Sequence, residues 1–259
     1  MTIGGLQKLT LIDFPGHIAA TVFTVGCNFR CPFCHNPELV SGAKHSASNV
    51  LEKEFFDLLK SRQGKLEGVC ITGGEPTIQP DLIEFIRKIK NSGFKVKLDT
   101  NGTRPDVLRL LYAEKLLDFV AMDIKNYPEK YAETANSKIY PVRKRIKDDK
   151  SNNAKEKQYS MGFSNGVDME RIRLSVDLIR NSGVDYEFRT TAVPGLHKKS
   201  DFASIGEWLK GSKKYVLQAF EDKGKILDPN LVKKTKGKRL NLEKIAKNIE
   251  KYFGKVEIR

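Results

Sequence analysis

The sequence has no long apolar run, and none approaches the ~18 residues that a membrane-spanning helix needs. Its N-terminus, MTIGGLQKLTLIDF, lacks the basic segment followed by an apolar stretch that marks an export signal. We therefore expect a cytoplasmic protein with no membrane partner. Cysteine is also scarce, at 4 in 259 residues, which excludes a disulfide scaffold. The 39% of apolar residues is nevertheless enough for a soluble protein with a real core.

Acidic residues are outnumbered, with 32 Asp and Glu against 46 Lys and Arg, which gives a formal net charge of +14. A charge of this size suits a nucleic-acid partner. The basic residues are spread along the chain, however, and do not alternate with aromatic ones, so we do not expect such a partner. Local excesses occur at residues 141–158 and 233–239. Each is either a solvated loop or tail, or a surface that helps to dock an acidic protein.

Alternating strand and helix patterns predict an α/β fold. Six runs rich in Val, Ile, Phe and Thr are predicted strands: His17–Thr24, Gly68–Thr72, Phe94–Asp99, Leu117–Asp123, Asp185–Ala192 and Lys214–Ala219. Apolar residues at helical spacing predict helices over Val50–Arg62, Pro80–Lys90, Asp106–Lys115, Met169–Arg180, Ser200–Lys210 and Asn241–Tyr252. This order indicates parallel strands with right-handed crossovers, in a partial (β/α)6 barrel of the TIM type with a C-terminal amphipathic helix.

We expect the barrel to occupy residues 1–220. A basic C-terminal extension that contains the last helix is expected over residues 221–259. The segment 126–166 is polar, rich in lysine and weakly periodic, and is predicted to be a long basic insertion or loop.

Three cysteines follow the first predicted strand, where a barrel places its catalytic loops: Cys27, Cys31 and Cys34 in CNFRCPFCHN. A c-type haem fits CPFCH but needs an exported protein and leaves Cys27 without a role. Zinc could take the three thiolates and His35, although the adjacent Cys34 and His35 are awkward ligands for one ion. A [4Fe–4S] cluster held by three thiolates would leave one iron with an open position that can bind a small molecule.

Polar groups also follow the other predicted strands, in Thr72–Pro76, Asp99–Gly102, Asp123–Lys125, Val193–His197 and at Gln218. The carboxyl ends of parallel strands meet at one rim of a barrel, so these residues should gather beside the cysteines. Carboxylates there suit an ammonium group or a cation, and Lys125 suits a carboxylate. Cys70, within an apolar strand, is predicted to be a buried small side chain.

The motifs together resemble those of a known family. The spacing C-x3-C-x2-C is similar to the radical S-adenosylmethionine (SAM) motif. With CHNP, GGEP, LDTNG and MDIK it resembles the set found in glycyl-radical-enzyme activases. Two further segments, GGLQKLTLIDFPG and DYEFRTTAVPGLH, resemble activating proteins of anaerobic ribonucleoside-triphosphate reductase.

The resemblance implies cofactors and their ligands. Cys27, Cys31 and Cys34 would hold a [4Fe–4S] cluster as the metal-binding, catalytic residues. SAM would be bound by Phe33, Asn36, Gly73, Gly74, Glu75, Asp99, Asn101, Asp123 and Lys125. A monovalent cation would lie at Asp99, Thr100 and Asp123.

The resemblance also implies a function. The protein would cleave SAM reductively to a 5′-deoxyadenosyl radical, which abstracts a glycine Cα hydrogen in a partner enzyme, here an anaerobic ribonucleotide reductase. A flavodoxin- or ferredoxin-type protein would donate the electron. An activase for another glycyl radical enzyme, of the pyruvate formate-lyase type, and a radical SAM enzyme acting on a small molecule are the alternatives.

Overall fold

The computed structural model describes residues 1–41, 50–136, 138–139, 166–221 and 225–259. The strands in these ranges are β1 Ile3–Thr10, β2 Ala19–Thr24, β3 Gly68–Gly73, β4 Lys95–Thr100, β5 Phe119–Asp123, β6 Lys138–Ile139, β7 Gly166–Val167, β8 Asp185–Ala192, β9 Ser212–Ala219 and β10 Phe253–Ile258. The helices are α1 Pro37–Ser41, α2 Glu52–Ser61, α3 Leu82–Asn91, α4 Pro105–Ala113, α5 Tyr131–Thr134, α6 Met169–Asn181, α7 Lys199–Trp208, α8 Pro229–Thr235 and α9 Leu242–Ile249.

One large sheet carries the fold, with the strand order β1-β2-β3-β4-β5-β8-β9-β10. Neighbouring strands from β2 to β10 run parallel, and β1 is antiparallel to β2. The six predicted strands are β2, β3, β4, β5, β8 and β9, and helices connect them as predicted. The α/β architecture is therefore confirmed, as an open sheet consistent with a partial barrel.

The helices pack their apolar stripes onto the outer face of the sheet. Phe85, Ile86 and Ile89 of α3 are buried, as are Ile245 and Ile249 of α9. Burial of such side chains contributes roughly 1.5–3 kcal/mol each. This packing fixes the strands and leaves their carboxyl ends open to build a site.

Two edge strands were not predicted. β1 contains two glycines and is half-exposed, and β10 begins directly after Tyr252, where the last predicted helix ends. In the structure Gly254 lies within β10, and a Cβ there would meet the Lys213 carbonyl oxygen. β10 lies in the predicted C-terminal extension, and it pairs with β9, which lies in the predicted barrel before residue 220. The division of the chain at residue 220 stays a prediction.

The predicted basic insertion 126–166 is described only at its ends. Pro128–Lys130 and α5 form short helical turns, and β6 pairs with β7 in parallel. Residues 137 and 140–165, which include the basic segment 141–158, lie outside the described residues. Over the described ranges, each helix is too short or too polar to span a bilayer.

Candidate active site

A cavity of about 500 Å³ opens at the carboxyl ends of the strands. All three clustered cysteines line it, as do all of the residues predicted to contact SAM: Phe33, Asn36, Gly73, Gly74, Glu75, Asp99, Asn101, Asp123 and Lys125. Residues far apart in the chain therefore converge at one rim, as the parallel topology requires.

The cysteine loop is fixed by backbone bonds to distant segments. Gly26 N donates to Leu39 O at 2.7 Å, and Leu227 N donates to Cys34 O at 3.0 Å. Asp228 N also donates to Pro32 O at 2.9 Å. The loop after β2 is thus tied to the segment that follows β9, across the open side of the sheet.

The thiols are held in a buried, hydrogen-bonded setting. Burial raises the pKa of Cys27 to about 12 and that of Cys31 to about 11. Phe29 N–H points at Cys27 Sγ, with N and S 3.4 Å apart. N–H donors of this kind stabilise a sulfur that carries negative charge, as a metal-bound thiolate does.

The clustered cysteines are not grouped as ligands of one metal ion. In the described part of the chain, no three His, Cys, Asp or Glu side chains lie close enough together to hold one ion. Zinc on Cys27, Cys31, Cys34 and His35 would need such a grouping. In an iron–sulfur cluster each thiolate binds a different iron, so the three cysteines need not converge on one ion.

The Gly-Gly turn after β3 packs directly on the start of the cysteine loop. Glu75 N donates to Gly26 O at 2.8 Å, and a Cβ on Gly74 would overlap that same oxygen. Gly73 has φ of +108°, a conformation that side chains rarely adopt. The backbone at Thr24 and Gly26 therefore occupies the space where side chains on these two glycines would lie. The two glycines also form part of the cavity wall.

Glu75 is a buried carboxylate that joins three segments. Its Oε1 accepts from Thr100 Oγ1 at 2.7 Å and from Thr77, while its Oε2 accepts from Asn101 N at 2.6 Å. Burial raises the pKa of Glu75, and these donors oppose the rise. Glu75 thus fixes the turn after β3 against the end of β4.

Replacing Glu75 with glutamine should destabilise the fold by roughly 2 kcal/mol, because the new amide N–H2 would face either the N–H of Asn101 or the donors at Oε1. Urea unfolding would measure this change. Glu54→Gln, on the exposed face of α2, is the matched control and should change stability by less than about 0.5 kcal/mol. Equal effects of the two substitutions would contradict the role of Glu75.

A chain of alternating charges begins beneath the cavity floor at Lys97 and ends in the cavity wall at Lys125. Asp99 pairs with Lys97 and with Arg189 Nη2, the latter at 2.9 Å. Asp123 pairs with Arg189 Nε at 2.5 Å and with Lys125 Nζ at 3.0 Å. The order Lys97–Asp99–Arg189–Asp123–Lys125 holds three cations and two carboxylates, and so one positive charge in excess.

These pairings set the ionisation of the carboxylates. Burial alone would raise the pKa of Asp123, but the nearby charges of Arg189 and Lys125 hold it well below its usual range. The pKa of Asp99 is likewise lowered, because Arg189 and Lys97 outweigh its burial. Both carboxylates are therefore ionised at neutral pH.

Sequence reasoning missed Arg189 and Arg259, which also line the cavity. Arg189 lies on the face of β8 that carries Glu187 and Thr191, so two charged residues at strand spacing were an available signal. Arg259 pairs with the buried Glu187 through two bonds of 2.8 and 2.9 Å. No signal pointed to Arg259, because β10 itself was not predicted.

His197, which follows β8, supports the site from behind. Val193 N donates to His197 Nδ1 at 3.1 Å, so the ring proton is on Nε2, which lies 2.8 Å from Lys125 O. Burial lowers the pKa of His197 and keeps the ring neutral. The ring therefore positions the backbone of Lys125 and does not line the cavity.

Comparison with known proteins identifies the family. Residues 21–209 match the radical SAM superfamily. A candidate glycyl-radical enzyme activating enzyme of Methanocaldococcus jannaschii is 33% identical, over 99% of this chain and 95% of that protein. The pyruvate formate-lyase-activating enzyme of Listeria monocytogenes is 33% identical over 54% of this chain and 60% of its own length.

A solved structure agrees in fold. Streptococcus suis SuiB bound to S-adenosylmethionine has a TM-score of 0.56 at 11% identity, over 92% of this chain and 48% of SuiB. This chain thus spans about half of SuiB, and the likeness concerns the fold alone. The family match and the full-length relative show that the chain belongs to the radical SAM superfamily and, within it, to the glycyl-radical enzyme activating enzymes.

Proposed function

We propose that this enzyme activates an anaerobic ribonucleoside-triphosphate reductase by forming its glycyl radical. The observation that carries the proposal is the cavity, in which Cys27, Cys31 and Cys34 lie beside the Lys97–Lys125 charge chain. When bound and reduced, the cluster supplies the electron that splits SAM into methionine and a 5′-deoxyadenosyl radical, which takes a hydrogen atom from a glycine Cα.

The residues of the chain have separate roles in this proposal. Cys27, Cys31 and Cys34 bind the cluster. Lys125, with its Nζ 5.9 Å from the centre of the Phe33 ring, contacts the carboxylate of SAM, because one positive charge of the charge chain remains to be balanced. Phe33 offers its ring to the adenine.

Glu75 and Asn101, which were also predicted to contact SAM, are proposed to position other parts of the site. The two oxygens of Glu75 and the side chain of Asn101 are already engaged by protein donors and acceptors, Asn101 with Asn28 and Thr103. We assign them to holding the rim in shape. Asn36, Gly73 and Gly74 remain as contacts to the polar groups of SAM.

The choice of target rests on two segments. GGLQKLT forms most of β1, which pairs with β2 directly before the cysteine loop, and DYEFRTTA forms β8, which carries Arg189. The segments that resemble reductase activases therefore border the site. A flavodoxin- or ferredoxin-type donor is the electron source we expect.

Electron paramagnetic resonance under anaerobic conditions tests the proposal. The reconstituted, reduced enzyme is mixed with SAM and with the large subunit of the reductase, and in parallel with pyruvate formate-lyase. We expect a SAM-dependent glycyl doublet with the reductase. A doublet with pyruvate formate-lyase alone would contradict the target, and so would a SAM-dependent change in the cluster signal without any glycyl doublet.

A further inference from the structure

Lys97 is a buried lysine in the interior of the barrel. Its side chain is 2% exposed, although lysine is rarely buried without a partner. Alternation along β4 places it on the same face as Asp99, two residues further on. Its neighbours in register are Cys70 on β3 and Phe119 on β5, so it lies one layer below the cavity floor.

All four carboxylate oxygens of Asp99 and Asp123 are engaged by cations of the protein itself. Lys97 Nζ donates to Asp99 Oδ1. Arg189 donates through Nη2 to Asp99 Oδ2 and through Nε to Asp123 Oδ1. Lys125 Nζ donates to Asp123 Oδ2. Cys70 Sγ adds a weak contact to Asp99 Oδ1 at 3.9 Å.

Thr100, the third residue expected at a monovalent cation, is also engaged. Its hydroxyl donates to Glu75 Oε1 at 2.7 Å and accepts from Gly102 N at 3.1 Å. The oxygens that would surround a bound cation therefore do not face a common gap. The described residues do not fit the monovalent cation that the family resemblance implies.

We propose that Lys97 and Arg189 are built-in cations that replace a monovalent metal ion at the Asp99–Asp123 pair. Lys97 is thus a positioning residue: it neutralises Asp99 from below and holds its carboxylate at the cavity floor. The protein binds no K⁺ or Na⁺ there. Since these carboxylates border the SAM site, the inference deepens the proposed function.

The first test uses the wild-type protein without SAM or a target. Its melting temperature is compared in KCl, NaCl and choline chloride at equal ionic strength, and Tl⁺ binding is followed by thallium NMR. We expect equal melting temperatures and no saturable Tl⁺ binding. A saturable Tl⁺ site, or a melting temperature that rises with K⁺ to a plateau, would overturn the inference.

The second test removes the ammonium group of Lys97, so that Asp99 would be stabilised by an added metal cation. Lys97→Met removes the ammonium and leaves Asp99 Oδ1 facing only the Cys70 thiol, so the melting temperature in choline chloride should fall by about 10 °C. KCl or NaCl should restore at least half of this loss. Lys95→Met, at the exposed start of β4, is the matched control and should show no such salt preference.

Each of the two tests can refute the inference. A Lys97→Met protein that ignores K⁺ and Na⁺ would refute the inference, and if this variant does not fold, the Tl⁺ titration of the wild type decides alone. Neither test involves radical formation, so the inference can fail while the glycyl radical assay succeeds, and the reverse.

Discussion

Replacing Cys31 with alanine is expected to abolish SAM cleavage and glycyl radical formation. A set of three thiolates has no spare ligand, so the loss of one should remove most of the iron and lower SAM cleavage by roughly 100-fold, the upper end of the cost of losing an outer-shell partner. Iron content after anaerobic reconstitution and 5′-deoxyadenosine release would measure both effects. A Cys31→Ala protein that still cleaves SAM would refute the cluster assignment.

Cys70→Ala is the matched control. Cys70 is fully buried within β3, below the cavity floor, and does not line the cavity wall. It cannot take the place of Cys31, and its own removal should leave iron content unchanged. Equal iron loss in both variants would show that the effect of Cys31→Ala is one of folding and not of ligation.

Arg189→Met should cause the largest loss of stability among single substitutions at the cavity floor. It removes the group that bridges Asp99 and Asp123, and leaves both carboxylates buried with one partner each. Breaking a buried ion pair from one side costs about 3–5 kcal/mol. Urea unfolding at pH 7 would measure the difference in the free energy of unfolding from wild type.

The pH dependence of the free energy of unfolding tests the pairing of Arg189 with the two carboxylates. In the wild type, the pKa values of Asp99 and Asp123 are lower in the folded state than in the unfolded state. Their stabilisation is therefore complete above the unfolded pKa of about 3.9 and is lost as the pH falls through the folded values. In Arg189→Met these carboxylates protonate at higher pH, which relieves the unpaired charge.

The gap in stability between wild type and Arg189→Met should therefore narrow between pH 7 and pH 4. Arg180→Met removes an exposed guanidinium bond to the Lys210 carbonyl oxygen at 2.8 Å and should show a small effect at both pH values. A gap that widens toward low pH would contradict the pairing of Arg189 with the two carboxylates.

The sequence was sufficient to predict the barrel strands because each one is buried on both faces. β3 carries the apolar run Val69, Cys70 and Ile71 between glycines, a pattern that parallel strands produce. The edge strands β1 and β10 have only one covered side, so glycine and lysine are tolerated and the apolar signal is weak.

The same reasoning separates the predicted site residues from those that were missed. Cys27, Asp99 and Lys125 were found because each lies within three residues of the end of a strand. Arg189 lies within a strand, and its partners Asp99 and Asp123 come from two others, so only the register between strands brings the three together. Pairing of this kind cannot be read along one chain segment.

The bonds across the open side of the sheet have a consequence for the order of synthesis. Leu227 and Asp228, which fix the loop through Cys34 O and Pro32 O, are synthesised long after Cys27, Cys31 and Cys34. A nascent chain exposes its cysteines before this bonding exists. The cysteine loop can therefore reach its final backbone geometry only after residues 227 and 228 have been synthesised.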